Sequence, residues 1–258
     1  MGISTMAQVH PDAKIGKDVT IEAFATVYAD VEIGDGTWIG PNAVIMDGAR
    51  IGNNCKVFPG AVISAEPQDL KYQGEKSITT IGDNTTIREC VTINRGTVDK
   101  METRVGNNCL IMAYVHIAHD TFIGNHVIIA VDTVLAGHMV IEDFAIIEGI
   151  SGAQQFLHIG AHSFIAAGSL IRKNVPPFIK CAREPLTYTG INAIGLRRRG
   201  WAEETIKEIE DIYRTLYIRN VNISKALQEI EANYPDSAHK THILEFIRSS
   251  ENGIVKRP

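Results

Sequence analysis

From Val9 to Ile171, every sixth residue of this 258-residue chain is Val, Ile or Leu at 24 of 28 positions. The register runs through Val9, Ile15, Ile21, Val27, Ile33, Ile39, Ile45, Ile51, Val57 and Ile63, then resumes at Ile81, Ile87 and Ile93. From Val105 it continues every six residues to Ile171, missing once, at Ala153. An α-helix repeats near 3.6 residues and a strand at 2, so neither produces this beat. A parallel β-helix of hexapeptides does. Each hexad makes one short strand and one corner, and three hexads close a triangular coil. Residues 18 apart in the sequence then stack at about 4.8 Å. Gly often follows the inward aliphatic (Gly16, Gly34, Gly52, Gly82, Gly106, Gly124), and Asp or Asn often follows that (Asp35, Asn53, Asp83, Asn107, Asn125). These residue types suit a corner with positive φ. Such prisms coil left-handedly, against the usual right-handed crossover. The pattern predicts a mainly β protein: a left-handed parallel β-helix over residues 1–190 and a helical domain over 191–258.

Asp69, Glu75 and Asp99 fall where an aliphatic residue is due. Both interruptions are whole multiples of six. They therefore predict excursion loops near 64–80 and 94–104 that return to the same register. Loops on a rigid scaffold are where binding groups concentrate. Val175-Pro176-Pro177 is expected to end the repeat, because proline supplies no ladder donor. After Gly200, Ile206, Ile209, Ile212, Tyr213 and Leu216 fall on one helical stripe. A second helix is expected from Ser224, as its cap, to just before Pro235, and a third across 237–249. This tail would cover the open end of the prism.

Composition, at 45% hydrophobic and 21% charged, is that of a globular chain. No stretch approaches the roughly 20 apolar residues of a membrane span, and residues 1–14 do not read as a signal peptide. Cys55, Cys90, Cys109 and Cys181 form no Cys-x-x-Cys pair and read as reduced wall residues of a cytoplasmic protein. Net charge is −5, yet residues 172–199 carry seven basic side chains against one acid, Glu184. A local excess of this size suggests a dock for a phosphate group or an acidic protein. No nucleic-acid-binding motif is present.

Candidate chemistry lies at His116-Ile117-Ala118-His119-Asp120. Ile117 is the inward residue, so both histidines face outward or lie at the corner. The 18-residue stack places Gly137 over His119, Gln155 over Gly137, and His138 over Asp120. An imidazole can accept a proton near neutral pH, an adjacent carboxylate can fix its tautomer, and a backbone N–H can stabilise an oxyanion. That is an acyl-transfer constellation without a protein nucleophile. Hydrated histidines that merely decorate the wall are the plain alternative. A zinc site from His116, His119 and His138, as in hexapeptide-type carbonic anhydrases, is another. A non-catalytic scaffold and an acetyl-CoA-dependent transferase complete the set.

Beyond the repeat, Gln68-Asp69-Leu70-Lys71-Tyr72, Ile93-Asn94-Arg95-Gly96-Thr97, the two histidine segments and Gly195-Leu196-Arg197-Arg198-Arg199-Gly200 resemble the UDP-N-acetylglucosamine O-acyltransferase family. The likeness covers nearly the whole chain. It implies a homotrimer with sites between prisms, transferring an (R)-3-hydroxyacyl chain from acyl carrier protein to the 3-hydroxyl of UDP-N-acetylglucosamine, the first step of lipid A synthesis. It implies His119 as general base, Asp120 as its support and the Gly137 N–H as oxyanion donor. Asp69, Lys71, Asn94, His116, His138, Gln154 and Gln155 would contact the sugar and acyl groups, and Asn192, Arg198 and Arg199 the phosphates or phosphopantetheine. No cofactor or metal is implied beyond the phosphopantetheine of the carrier. Gln154 and Asn94 stand where the family often has histidine, and Ile194 where it is often acidic. Some members acylate a 3-amino sugar nucleotide instead. A late-coil position limits chain length in the family. The matching Ala166-Ala167-Gly168 leaves room, and Ala167 implies an acyl chain of about 14 carbons or more.

Overall fold

In the computed structural model, which describes residues 2–219 and 222–257, the beat of six becomes a three-faced parallel β-helix. The first face has nine strands from Gln8–Val9 to Leu170–Ile171, and the second has eight from Lys14–Ile15 to His158–Ile159. The third has ten, starting at Thr20–Ile21. Most strands are two residues long, and their second residue is the register aliphatic. Neighbours are 18 apart, as in Val27↔Ile45 and Ile33↔Ile51. Ile39, Ile63, Ile93 and Ile117 have no exposed surface. Each such burial contributes about 1.5–3 kcal/mol relative to exposure.

Both excursions return in phase. Ile63 pairs with Ile93, one coil plus 12 residues away, and Ile93 with Ile117, one coil plus six. Arg95 ties the loops together: its Nε donates to the Tyr72 hydroxyl at 3.0 Å and its Nη1 to the Asp47 carbonyl at 3.1 Å.

The corners differ from the expectation. Positive φ falls on the third residue after the aliphatic, such as Asp18, Asn54, Asn84 and Asn108, and even Phe144 and Ile150. The glycine directly after the aliphatic serves a different need, close stacking of coils. A Cβ on Gly34 would lie 2.5 Å from the Gly52 carbonyl carbon. The Asp or Asn that follows builds a ladder up the corner between the second and third faces. There the Asp35 N–H donates to Asn53 Oδ1 (2.9 Å), and the Asn53 N–H to Asp83 Oδ1 (2.7 Å). The N–H groups of Asp83, Asn107 and Asn125 continue it to Asn107, Asn125 and Asp143 at 2.7–2.9 Å. Groups that a corner leaves without a ladder partner are thereby satisfied.

The prolines turn a corner rather than ending the coil. Val175 bridges Ile159, and Ile179–Ala182 pairs in parallel with Phe164–Ile165. The ladder donor comes from Val175, whose N–H donates to the His158 carbonyl at 2.9 Å and whose carbonyl accepts from the Gly160 N–H at 2.8 Å, while the Pro177 carbonyl accepts from the Tyr213 hydroxyl at 2.6 Å. Thr187–Ile191 then closes the third face as an antiparallel strand.

Helices follow: α1 (Ala193–Arg198), α2 (Glu203–Arg214), α3 (Ile223–Asn233) and α4 (Ala238–Arg248). The expected stripe lies on α2, where Ile206, Ile209, Ile212 and Tyr213 are buried, and a π-helical turn at Thr215–Arg219 carries buried Leu216. The short α1 was not expected, and α3 is capped by Asn222, whose side chain accepts from the Lys225 N–H, rather than by Ser224. Ser237 caps α4. The tail covers a flank of the prism as well as its end. Glu142, directly after a strand of the second face, lies 2.7 Å from His158 Nε2 and 2.8 Å from Nε2 of His242 of α4. The predicted outer limits, residues 1 and 258, lie outside the described residues. All four cysteines are free thiols, with Cys90 exposed and the others buried. Among the described residues no helix is long and apolar enough to cross a membrane.

Candidate active site

His116–Ile117 is a strand of the first face, and buried Ile117 anchors it to the core. Residues 118–120 then turn the corner toward the second face, with Asp120 at φ 57° and His138, one coil on, at φ 61°. Backbone bonds hold the stack, the His138 N–H donating to the His119 carbonyl at 3.0 Å.

Asp120 is 1% exposed, and four donors converge on its carboxylate. The Thr97 hydroxyl lies 2.6 Å and His119 Nδ1 2.8 Å from Oδ2, while the N–H groups of Thr97 and Lys100 reach Oδ1 at 3.0 and 3.1 Å. Burial raises the Asp120 pKa, but the bonds from Thr97, His119 and Lys100 outweigh it and hold the carboxyl below the usual aspartate value. An anionic Asp120 requires a proton on His119 Nδ1, which leaves Nε2 as the open lone pair.

Nε2 faces Asp69 of the first excursion, 3.9 Å from its Oδ2. Gly137 lies over the same ring. A Cβ there would stand 2.8 Å from His119 Cε1 and 3.0 Å from Nε2, so only glycine leaves the imidazole its place. Among the described residues the Gly137 N–H has no backbone acceptor. His138 meets His119 edge to face (ring centroids 5.0 Å apart, 90°) and stacks on Phe156 at 4.4 Å. Its Nδ1 lies 3.0 Å from Asp99 Oδ2. His116 shares a 2.7 Å hydrogen bond with Thr92 Oγ1, and burial, with His119 nearby, lowers its pKa.

The chain thus brings together His119, Asp120, Gly137, His138 and Asp69, with His116 alongside on the first face. Lys71 is exposed, and its N–H donates to Asp69 Oδ1 at 2.9 Å. Gln154 and Gln155 are exposed on the next coil. Asn94 is 2% exposed and donates to the Glu66 carbonyl at 2.9 Å, holding the first excursion. The other predicted residues lie elsewhere. Asn192 caps α1, donates to the His162 carbonyl at 2.9 Å and is 7% exposed. The Arg199 guanidinium covers the Phe144 ring on the corner between the second and third faces. Arg198 is exposed beside Lys180, Phe164 and Ile146 in a shallow groove. Ala167 is exposed on the corner between the third and first faces.

Much of the basic run is spent within the chain. Arg172 pairs with Glu184 and Arg197 with Glu203, Lys173 donates to the Asn252 carbonyl, and Arg199 to that of Phe144. Lys180, Arg183 and Arg198 are exposed as well, and among the described residues they form no ion pair within the chain. Sequence reasoning missed Thr97 and Asp99 as partners of Asp120 and His138. The one signal was Asp99 itself, an acid in an aliphatic register.

Among the described residues one group has metal-binding geometry: His119, Asp120 and His138, with ligand atoms within 4.8 Å of one another. His116, the third histidine of the zinc reading, is not in it. The Asp120 oxygens are already taken by four donors, so the cluster fits proton transfer better than coordination.

A hexapeptide prism carrying a His–Asp pair beneath a glycine defines a transferase of the hexapeptide-repeat class. The family model of bacterial transferase hexapeptides (six repeats) matches residues 30–65 and 102–137, and that of "Udp N-acetylglucosamine O-acyltransferase; Domain 2" matches 174–255. The acyl-[acyl-carrier-protein]--UDP-N-acetylglucosamine O-acyltransferase of Pseudomonas syringae pv. tomato is 40% identical over 198 residues, 75% of this chain and 76% of that protein. The solved UDP-N-acetylglucosamine acyltransferase of Bacteroides fragilis is 47% identical and superposes with a TM-score of 0.96, covering 98% of this chain and 99% of that one. That of Francisella novicida is 38% identical with a TM-score of 0.96, covering 100% and 95%. The chain belongs to the UDP-N-acetylglucosamine O-acyltransferase family and is an acyltransferase.

Proposed function

We propose that this acyltransferase moves an (R)-3-hydroxyacyl chain from acyl carrier protein to the 3-hydroxyl of UDP-N-acetylglucosamine, the first step of lipid A synthesis, in the cytoplasm. The carrier protein and the sugar nucleotide follow the names of the relatives, and the (R)-3-hydroxyacyl chain and the 3-hydroxyl follow the family resemblance. The mechanism rests on one observation, the His119 ring with Nδ1 on Asp120 and Nε2 open under Gly137.

His119 Nε2 takes the proton of the sugar hydroxyl as its oxygen attacks the thioester carbonyl. The Gly137 N–H donates to the oxyanion that develops there. Collapse breaks the C–S bond, and the imidazolium returns the proton to the departing phosphopantetheine thiolate. No covalent enzyme intermediate forms, and the carrier's phosphopantetheine is the only prosthetic group involved. Asp69, Lys71, Asn94, His116, His138, Gln154 and Gln155 serve the sugar and acyl side, and Ala167 leaves room for a long chain. Asn192, Arg198 and Arg199 serve the phosphates or phosphopantetheine, with the groove beside Arg198 and Lys180 as the approach for the acidic carrier.

A homotrimer fits this reading. His119 lies on one corner of the prism, Arg199 on a second and Ala167 on the third, so a single prism cannot gather them. A cleft between two prisms can.

Mass spectrometry of the product from purified protein, 3-hydroxyacyl carrier proteins and either UDP-N-acetylglucosamine or its 3-amino analogue tests the proposal. A singly O-acylated sugar nucleotide supports it. Acylation of the amino analogue alone would change the acceptor, and no product with either would refute it.

A further inference from the structure

The middle of the second excursion, residues 97–100, directs its polar groups at the corner: Thr97 and Lys100 at the carboxylate that holds His119, and Asp99 at His138. Thr97, 5% exposed, delivers both its hydroxyl (2.6 Å) and its N–H (3.0 Å) to Asp120. Lys100 adds its N–H at 3.1 Å, and the Thr103 hydroxyl accepts from the Asp120 N–H at 2.9 Å. The residue between them, Asp99, reaches His138 Nδ1 at 3.0 Å. A charge-assisted hydrogen bond from a hydroxyl to a carboxylate is short and strong, and here it is buried, where it also fixes direction.

We propose that Thr97 is a positioning residue for the acyl transfer: its hydroxyl holds Asp120 so that His119 keeps its proton on Nδ1 and presents Nε2 to the substrate. The inference rests on the reading of His119 as the base. Without the Thr97 hydroxyl, Asp120 loses its shortest donor and can turn. Its carboxylate is then less stabilised and a stronger partner for the imidazolium, so the base is harder to deprotonate. Asp99 acts on His138 in the same way, fixing Nδ1 and turning Nε2 toward the cleft. One loop thereby sets the orientation of both rings, which gives a physical reason for an acid where the register calls for an aliphatic residue.

The test pairs kinetics with spectroscopy on the full-length protein. Thr97→Val keeps the shape and removes the donor. It should lower kcat by about 10- to 100-fold, the scale of one hydrogen bond to a charged group. KM for the sugar nucleotide should change little, and the acidic limb of the pH–rate profile should move to higher pH. Thr97→Ser should restore most of the rate, which a merely structural role for the methyl group would not allow. Independently of activity, ¹⁵N-histidine NMR of the unmodified protein should show His119 protonated at Nδ1 with a bare Nε2. An Nε2-protonated His119, or a Thr97→Val enzyme with the parent's kcat and pH profile, would overturn the inference. An unmodified protein that acylates nothing would instead overturn the proposed function, so the two failures are distinguishable.

Discussion

Gly137 lies one coil above His119, so close that a methyl group on it would stand 2.8 Å from the imidazole Cε1. The glycine is therefore a spatial requirement of the base as well as a source of a backbone donor. Gly137→Ala should displace the His119 ring and lower kcat by about 100-fold or more, the scale of misplaced acid–base and oxyanion groups, while the fold is preserved. Steady-state kinetics with a circular dichroism control checks it; near-parental kcat would show that the ring does not need that space.

The fold was almost fully legible because burial on a six-residue period leaves few alternatives. Ile63, Ile93 and Ile117 stack as the register requires even with two excursions between them. The His119–Asp120–Gly137 stack was legible for the same reason, since arithmetic on an 18-residue coil predicts neighbours. Thr97 and Asp99 were not. They lie in an aperiodic loop, and no period tells where such a loop lands. The corner chemistry was misassigned because residue preference alone cannot separate a positive φ from close coil contact. Gly34 meets the second need and Asn54 the first.

Glu142 joins the prism to α4. Burial raises its pKa, but hydrogen bonds from His158 and His242 and the Ala161 N–H hold it at about 2, while the Glu142 bond raises that of His242. A carboxylate with a depressed pKa stabilises the fold above its unfolded value of 4.5 and loses that contribution as pH falls toward about 2. A histidine with a raised pKa contributes below its unfolded 6.5 and loses that contribution as pH rises through the folded value. Glu142→Gln should therefore cost about 1.5–3 kcal/mol at pH 6, and the gap to the parent should close on acidification. Urea unfolding at several pH values measures it; a gap independent of pH would contradict the assignment.

The Asp/Asn ladder makes a separate prediction. Asn107 accepts from the Asp83 N–H at 2.8 Å and donates through Nδ2 to Asn125 at 2.9 Å. Asn107→Ala should destabilise the protein by about 0.5–1.5 kcal/mol without changing kcat. An unchanged urea midpoint would show that water replaces the ladder at no cost.

Chain length tests the role given to Ala167. The parent should prefer acyl donors of about 14 carbons or more, and Ala167→Met should shift preference to shorter ones by filling apolar space. Competition among carrier proteins of mixed chain length reads both. Transfer limited to about 10 carbons by the parent would remove Ala167 from the account.

The most direct test of the central claim is the pre-steady-state rate of acyl transfer by His119→Ala, with substrate binding measured in parallel. The account predicts a loss of about 100- to 10,000-fold in the chemical step, with sugar-nucleotide binding retained. A transfer rate within a few-fold of the parent would contradict it and place the base elsewhere in the cleft.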